Sequence, residues 1–118
     1  MIENVLKDNE FTFKGLNPVF DFNLHHGSTC FIAEIKISTG EPSPGDIEIY
    51  ISQSMEKWEF LRLHSCNKGT EQRILLKEEV YAKYLRLKCL DNIRGGNLCC
   101  VRFVKVYGVP IQQSGSHI

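Results

Sequence analysis

Few residues of this chain could carry chemistry, and most of them lack a second group to work with. His25, His26 and Cys30 are all of types that ligate metals. The two histidines are sequence neighbours, however, and would face opposite ways on an extended chain. No C-x-x-C or H-x-x-x-H spacing accompanies them, so the stretch reads as a polar turn. His64 and Cys66 sit two apart, on one face of an extended segment, where a Cys–His nucleophile pair would lie. No third orienting group or oxyanion motif goes with them, and a structural role is the expectation. Trp58 could offer a ring on which a sugar stacks. Lys83, Arg86 and Lys88 make a basic stretch with Arg86 and Lys88 on one face. Glu48 and Glu59 offset it, so a solvated face is expected rather than a nucleic-acid contact.

The run Leu90-Asp91-Asn92-Ile93-Arg94-Gly95-Gly96-Asn97 is richer. Asn92 and Asn97 offer donors and acceptors, and Arg94 offers a planar fork suited to carboxylates. Two glycines let a partner come close to the backbone. A plain hairpin turn, in which Asn and Gly supply left-handed geometry, explains the same residues.

The elements that must position these groups are strands. Phe20, Phe22 and Leu24 alternate with Asp21 and Asn23; Phe31, Ala33, Ile35 and Ile37 alternate with Glu34 and Lys36; Ile47, Ile49 and Ile51 alternate with Glu48, Tyr50 and Ser52. Period two marks half-buried strands. Trp58 to Leu63, Arg73 to Lys77, Tyr84 to Leu90 and Leu98 to Tyr107 complete the set, the last apolar on both faces as in a central strand. Turn-forming clusters separate them: His25 to Ser28, Thr39 to Gly45, Asn67 to Gly69 and Asn92 to Asn97. Short helical turns are expected only at Met55 to Lys57 and Glu78 to Ala82. Strands at intervals of about ten residues predict an all-β, antiparallel two-sheet β-sandwich. Phe22, Ile35, Ile49 and Leu85 are its predicted core. Residues 1–110 form one domain in this reading, and 111–118 a polar flexible tail.

Composition bounds the function. With 118 residues, 42% hydrophobic and 24% charged, the chain suits one globular domain. Lys plus Arg and Asp plus Glu are 14 each, which gives no global pull toward nucleic acid or an anionic membrane. No apolar run reaches the ~18 residues that span a bilayer. Five cysteines, an odd number without terminal pairing, read as reduced thiols, so a cytoplasmic or nuclear location is expected.

The order of residues resembles the discoidin, or coagulation-factor C-type, group of galactose-binding-like jelly rolls. Asn4 to Phe13 is similar to the opening "N-x-L-D-G-x-x-x-T-x-W" loop, and Val19 to Leu24 to the "W-L-x-V-D-L" strand. Ile47 to Ser52 with Trp58 resembles "V-x-Y-S-x-D-G-x-x-W". Ala82 to Leu87 is similar to "A-R-Y-L-R-L", and Val104 to Gly108 to the closing "I-E-V-Y-G". The resemblance places Trp58 against the core, beside its hairpin. It departs in the stretch before Asn4, in the bracketing cysteine pair, and at Lys105, where calcium-binding relatives carry an acid. A lysine there would repel Ca²⁺, so no metal and no cofactor are expected. These departures point toward the intracellular branch, with the Doc subunit of a ubiquitin ligase and ciliary members, which bind proteins and are not enzymes.

Loops alternate between the ends of a sandwich, so Thr39–Gly45, Cys66–Glu71 and Asp91–Asn97 share one end, where this superfamily usually carries its ligand. His25, His26 and Gln53 lie at the other. The resemblance likens 90–97 to the loop with which Doc domains help hold degrons. The resulting expectation is a non-catalytic recognition module for a protein or peptide, with Glu41, Lys68, Asn92, Arg94 and Asn97 as partner-binding residues. The alternative is a discoidin-type glycan- or phospholipid-binding domain. It is disfavoured by the sequence because residues 39–45, 66–71 and 91–97 contain no aromatic side chain to stack or insert.

Overall fold

The computed structural model describes residues 4–66 and 71–111. Nine strands run β1 (Asn4–Leu16), β2 (Val19–Asn23), β3 (Cys30–Thr39), β4 (Asp46–Ser52), β5 (Glu59–Ser65), β6 (Glu71–Leu75), β7 (Tyr81–Ala82), β8 (Tyr84–Cys89) and β9 (Leu98–Pro110). They form two antiparallel sheets. One has the order β1-β9-β3-β6 with β7 added to β3; the other has the order β2-β8-β4-β5. The predicted all-β two-sheet sandwich is the observed fold.

Alternation does the folding. Each strand sends its apolar phase inward, and the two inner faces meet as a single core. Phe22, Ile35, Ile49 and Leu85 are all within it, none more than 4% exposed, as period two predicts. Phe31 and Ala33, read in the same phase as Ile35, are outside it, because the pairing of β3 with β9 shifts between Ile32 and Glu34 and the buried residues there are Cys30 and Ile32. β9 is buried on both faces only at Cys99–Val101, where the connection carrying Gly40 and Pro42 lies against Cys100; beyond it the strand alternates. No buried side-chain nitrogen or oxygen among the described residues lacks a hydrogen-bond partner.

Several expectations need correction. Asn4 to Phe13, likened to a loop, belongs to a thirteen-residue edge strand. Its pairing with β9 slips between Val5 and Lys7 and again between Glu10 and Phe13, which breaks the alternation that identifies a strand. No helical turn forms at 55–57 or 78–82: the first stretch is a bend, and Tyr81–Ala82 pairs with Phe31 and Cys30 instead. Trp58 lies outside the core cluster. It is half-buried with the Arg86 guanidinium 4.2 Å from its ring centre, and Arg86 in turn makes a bidentate pair with Asp21 at 2.7 and 2.9 Å. That stacking occupies one ring face and neutralises the basic strand locally. Of the expected tail, only Ile111 falls among the described residues, and its amide is held by Thr29 O at 2.9 Å.

Candidate functional site

Three connections gather at one end of the sandwich, as alternation requires. Residues 40–45 follow β3, residues 90–97 follow β8, and the start of the third leaves β5 at Cys66. Backbone hydrogen bonds lace them together. Gly40 N donates to Cys100 O at 2.9 Å, Cys100 N to Pro42 O at 2.8 Å, Ile93 N to Ser43 O at 2.9 Å and Gly45 N to Asp91 O at 2.7 Å. Cys66 N donates to Gly45 O at 2.7 Å, and Asn17 N to Asn97 O at 2.9 Å. Asn17 Nδ2 also donates to Leu90 O. The loop end is therefore set before any ligand arrives, and a ligand need not order it.

The residues singled out in this region have different duties. Asn92 is 8% exposed, and its side chain is committed to its own loop. Its Oδ1 accepts from the amides of Arg94 and Gly96, both at 2.9 Å, and its Nδ2 donates to Leu98 O at 2.8 Å. Gly95 completes the turn with φ +91°, a conformation that favours glycine. Asn92 is thus the peg of the loop, and it lifts Ile93 and Arg94 onto the surface. Arg94 and Glu41 do come together: Nη2 lies 3.4 Å from Oε2, with the side chains 80% and 81% exposed. Asn97 is exposed on the rim. Lys68 lies outside the described residues.

Between these loops is a depression of about 230 Å³ lined by Glu41, Pro42, Ser43, Ile93 and Arg94. The Glu41–Pro42 bond is cis. Pro42 and Ile93 bring aliphatic surface to a wall that is otherwise polar, and Ile93 is half exposed. Sequence reasoning missed both; an isoleucine in a loop otherwise made of Asp, Asn, Arg and Gly was the available signal.

The other candidates do not assemble a reaction centre. His25 and His26 lie in a turn, their rings 5.3 Å apart. His64 Nε2 pairs with Gln72 Oε1 at 3.2 Å across the open edge between the sheets. Burial, reinforced by Asp46, pushes the Cys66 thiol up to about 12, which keeps it protonated and a poor nucleophile. Cys89 is likewise pushed up to about 12 by burial. Lys105 stands 4.0 Å from Asp8 and 5.2 Å from the Phe103 ring. No group of three potential metal ligands occurs among the described residues.

No protein-family model matches the chain, and no curated protein matches it in sequence. Solved structures do. The family 32 carbohydrate-binding module of NanJ from Clostridium perfringens, in complex with galactose, superposes with a TM-score of 0.71 at 11% identity, covering 90% of this chain and 99% of that one. The C-terminal domain of a chitobiase from Bacteroides fragilis gives 0.70 at 12% identity, with 93% and 95% covered. The family 32 module of EndoD from Streptococcus pneumoniae gives 0.67 at 14% identity, with 89% and 94% covered. The expected protein or peptide partner is corrected by these findings, because the matching modules bind carbohydrate. The resemblance to Doc-like and ciliary proteins gains no support from them, whereas the broader resemblance to the galactose-binding-like jelly roll holds. The likeness establishes the fold: this chain is a galactose-binding-like β-sandwich of the kind that family 32 carbohydrate-binding modules share.

Proposed function

We propose that the chain is a non-catalytic carbohydrate-binding module that holds a glycan in the depression at its loop end. One observation carries this reading. A preformed hollow on a fold shared with sugar-binding modules is rimmed by an exposed carboxylate and an exposed guanidinium that hold each other only at 3.4 Å. A sugar ring presents hydroxyls that both donate and accept, beside an apolar C–H face. Glu41 can accept, Arg94 can donate, and Pro42 with Ile93 can receive the apolar face. An exposed ion pair of this kind is worth about 0–1 kcal/mol, so exchanging it for sugar hydroxyls costs little.

The lack of an aromatic side chain in residues 40–45 and 91–97, which first weighed against a sugar, instead sets the expected affinity. Without stacking, binding should be weak, with Kd of about 1 mM or ~4 kcal/mol. The test is a titration with galactose, GalNAc-β-1,3-galactose and chitosan fragments, ligands named for modules of this fold. Arg94→Ala and Glu41→Gln should each weaken the best of them about tenfold, which is ~1.4 kcal/mol. Melting temperature should stay near the parent's, since both side chains are solvated. Binding that survives both substitutions unchanged would remove the assignment.

A further inference from the structure

A second concavity lies at the other end of the sandwich, on the outer face of the five-stranded sheet. Its volume is about 320 Å³, near the low end for small-ligand sites. Phe31, Tyr81, Val109 and Ile111 line it, and Glu79 is the one charged residue among its lining. The sheet fixes its floor. Phe31 is the register partner of Tyr81 on one side and of Val109 on the other. The Phe31 and Tyr81 rings stand 5.6 Å apart at 54°, forming an angled aromatic wall. The Tyr81 hydroxyl donates to Glu79 Oε2 at 3.1 Å, which holds the carboxylate at the mouth. Gln53 Nε2 donates to Tyr81 O at 2.9 Å and anchors the short strand that carries the ring. Tyr81 is 43% exposed and Ile111 40%, so apolar and aromatic surface is left open to solvent.

Two inclined aromatic faces and a single carboxylate, on an otherwise apolar lining, match one kind of group. We infer that this pocket binds an organic ammonium group, whose charge faces Glu79 and whose carbon substituents rest on Phe31 and Tyr81. Ring faces attract such cations through their quadrupole, and an ammonium carrying apolar substituents gains from both surfaces. The bare side of a neutral sugar would leave the carboxylate without a charged counterpart, and an anion would be repelled by it. The pocket is independent of the loop-end depression, since Phe31 lies at the start of β3 and the loop-end residues follow its other terminus.

Amide-resolved NMR on the whole chain tests this with two probes and their neutral counterparts. The probes are choline, against its tert-butyl isostere in which carbon replaces nitrogen, and glucosamine, against N-acetylglucosamine. At least one ammonium probe should shift the amides of Phe31, Tyr81, Val109 and Ile111 saturably, and its neutral counterpart should bind at least about fivefold more weakly. Glu79→Gln, an exposed substitution, should weaken the probe by a similar factor while leaving the rest of the spectrum in place. Glu79→Asp should retain part of the binding. Choline alone or glucosamine alone as the binding probe identifies which ammonium source the pocket prefers. Equal binding of charged and neutral members, indifference to Glu79→Gln, or no shift at these four amides with either probe would overturn the inference. None of these outcomes bears on the amides of Glu41, Ser43, Gly45 and residues 93–97, where the loop-end glycan is read.

Discussion

At the scale of single residues, the loop end rests on Asn92 more than on any charged group. Its one side chain satisfies two amides and a carbonyl while it is itself almost wholly buried. Asn92→Ala should therefore cost about 2 kcal/mol in chemical denaturation, because it leaves buried polar groups without partners. It should also weaken glycan binding, through loss of the Arg94 position rather than of a contact. A sequence cannot separate an asparagine that touches a ligand from one that props the loop, since both need the same donors and acceptors. Cys66 and Cys89 make a different statement. Both thiols rise from 9.0 to about 12 through burial. Below pH 9 each is neutral whether the chain is folded or not, and no stability is lost. As pH climbs from about 9 toward 12, only the unfolded thiol ionises, so stability falls, by up to ~1.4 kcal/mol per pH unit for each thiol. The denaturant-derived stability of Cys66→Ser should fall less steeply than the parent's above pH 9. Parallel slopes would mean that Cys66 ionises as freely in the folded chain.

At the scale of elements, what was legible followed from regular alternation. β2, β4 and β8 keep apolar residues two apart, and so does β3 from Ile35 onward, so Phe22, Ile35, Ile49 and Leu85 could be named from the sequence; the shift between Ile32 and Glu34 puts Phe31 out of that phase. β1 could not be recognised, because its two register shifts scramble the phase and its edge position asks little of it. Tyr81–Ala82 was missed because two residues carry no period. The family resemblance placed Trp58 against the core, but Arg86 offered its ring a partner instead. The pairing of β3 with β9 has one sharp requirement. Gly108 pairs with Ile32, and a Cβ there would collide with the carbonyl oxygen of Phe31 and press on Leu6 Cδ1 at 2.9 Å. The obstacle is backbone, which cannot step aside as a flexible side chain can. Gly108→Ala should thus lower stability by at least ~2 kcal/mol, read as a fall in melting temperature. An unchanged melting temperature would show that the two strands pair less closely than described.

At the scale of the whole molecule, the sandwich presents two separate surfaces, and the sequence revealed them unequally. Alternation of strand direction was enough to place residues 40–45 and 91–97 together, and Glu41 and Arg94 do meet there. The chemistry of the ligand was not legible in the same way. Sugar binding announces itself in sequence mainly through aromatic residues, and this loop end has aliphatic Pro42 and Ile93 in place of a ring. The absent aromatics led to a peptide partner, and the shared fold with carbohydrate-binding modules reverses that choice. The Phe31–Tyr81 pocket was invisible because its residues come from β3, β7, β9 and the 76–80 connection, which only the sheet brings together.

The central claim is that a glycan enters the loop end, and amide-resolved NMR with galactose and GalNAc-β-1,3-galactose tests it most directly. The account predicts saturable shifts confined to residues 41–45 and 93–97, abolished or weakened about tenfold in Arg94→Ala with the fold intact. Shifts confined to the face carrying Trp58 and Arg86, or to the end carrying His25 and His26, would contradict it.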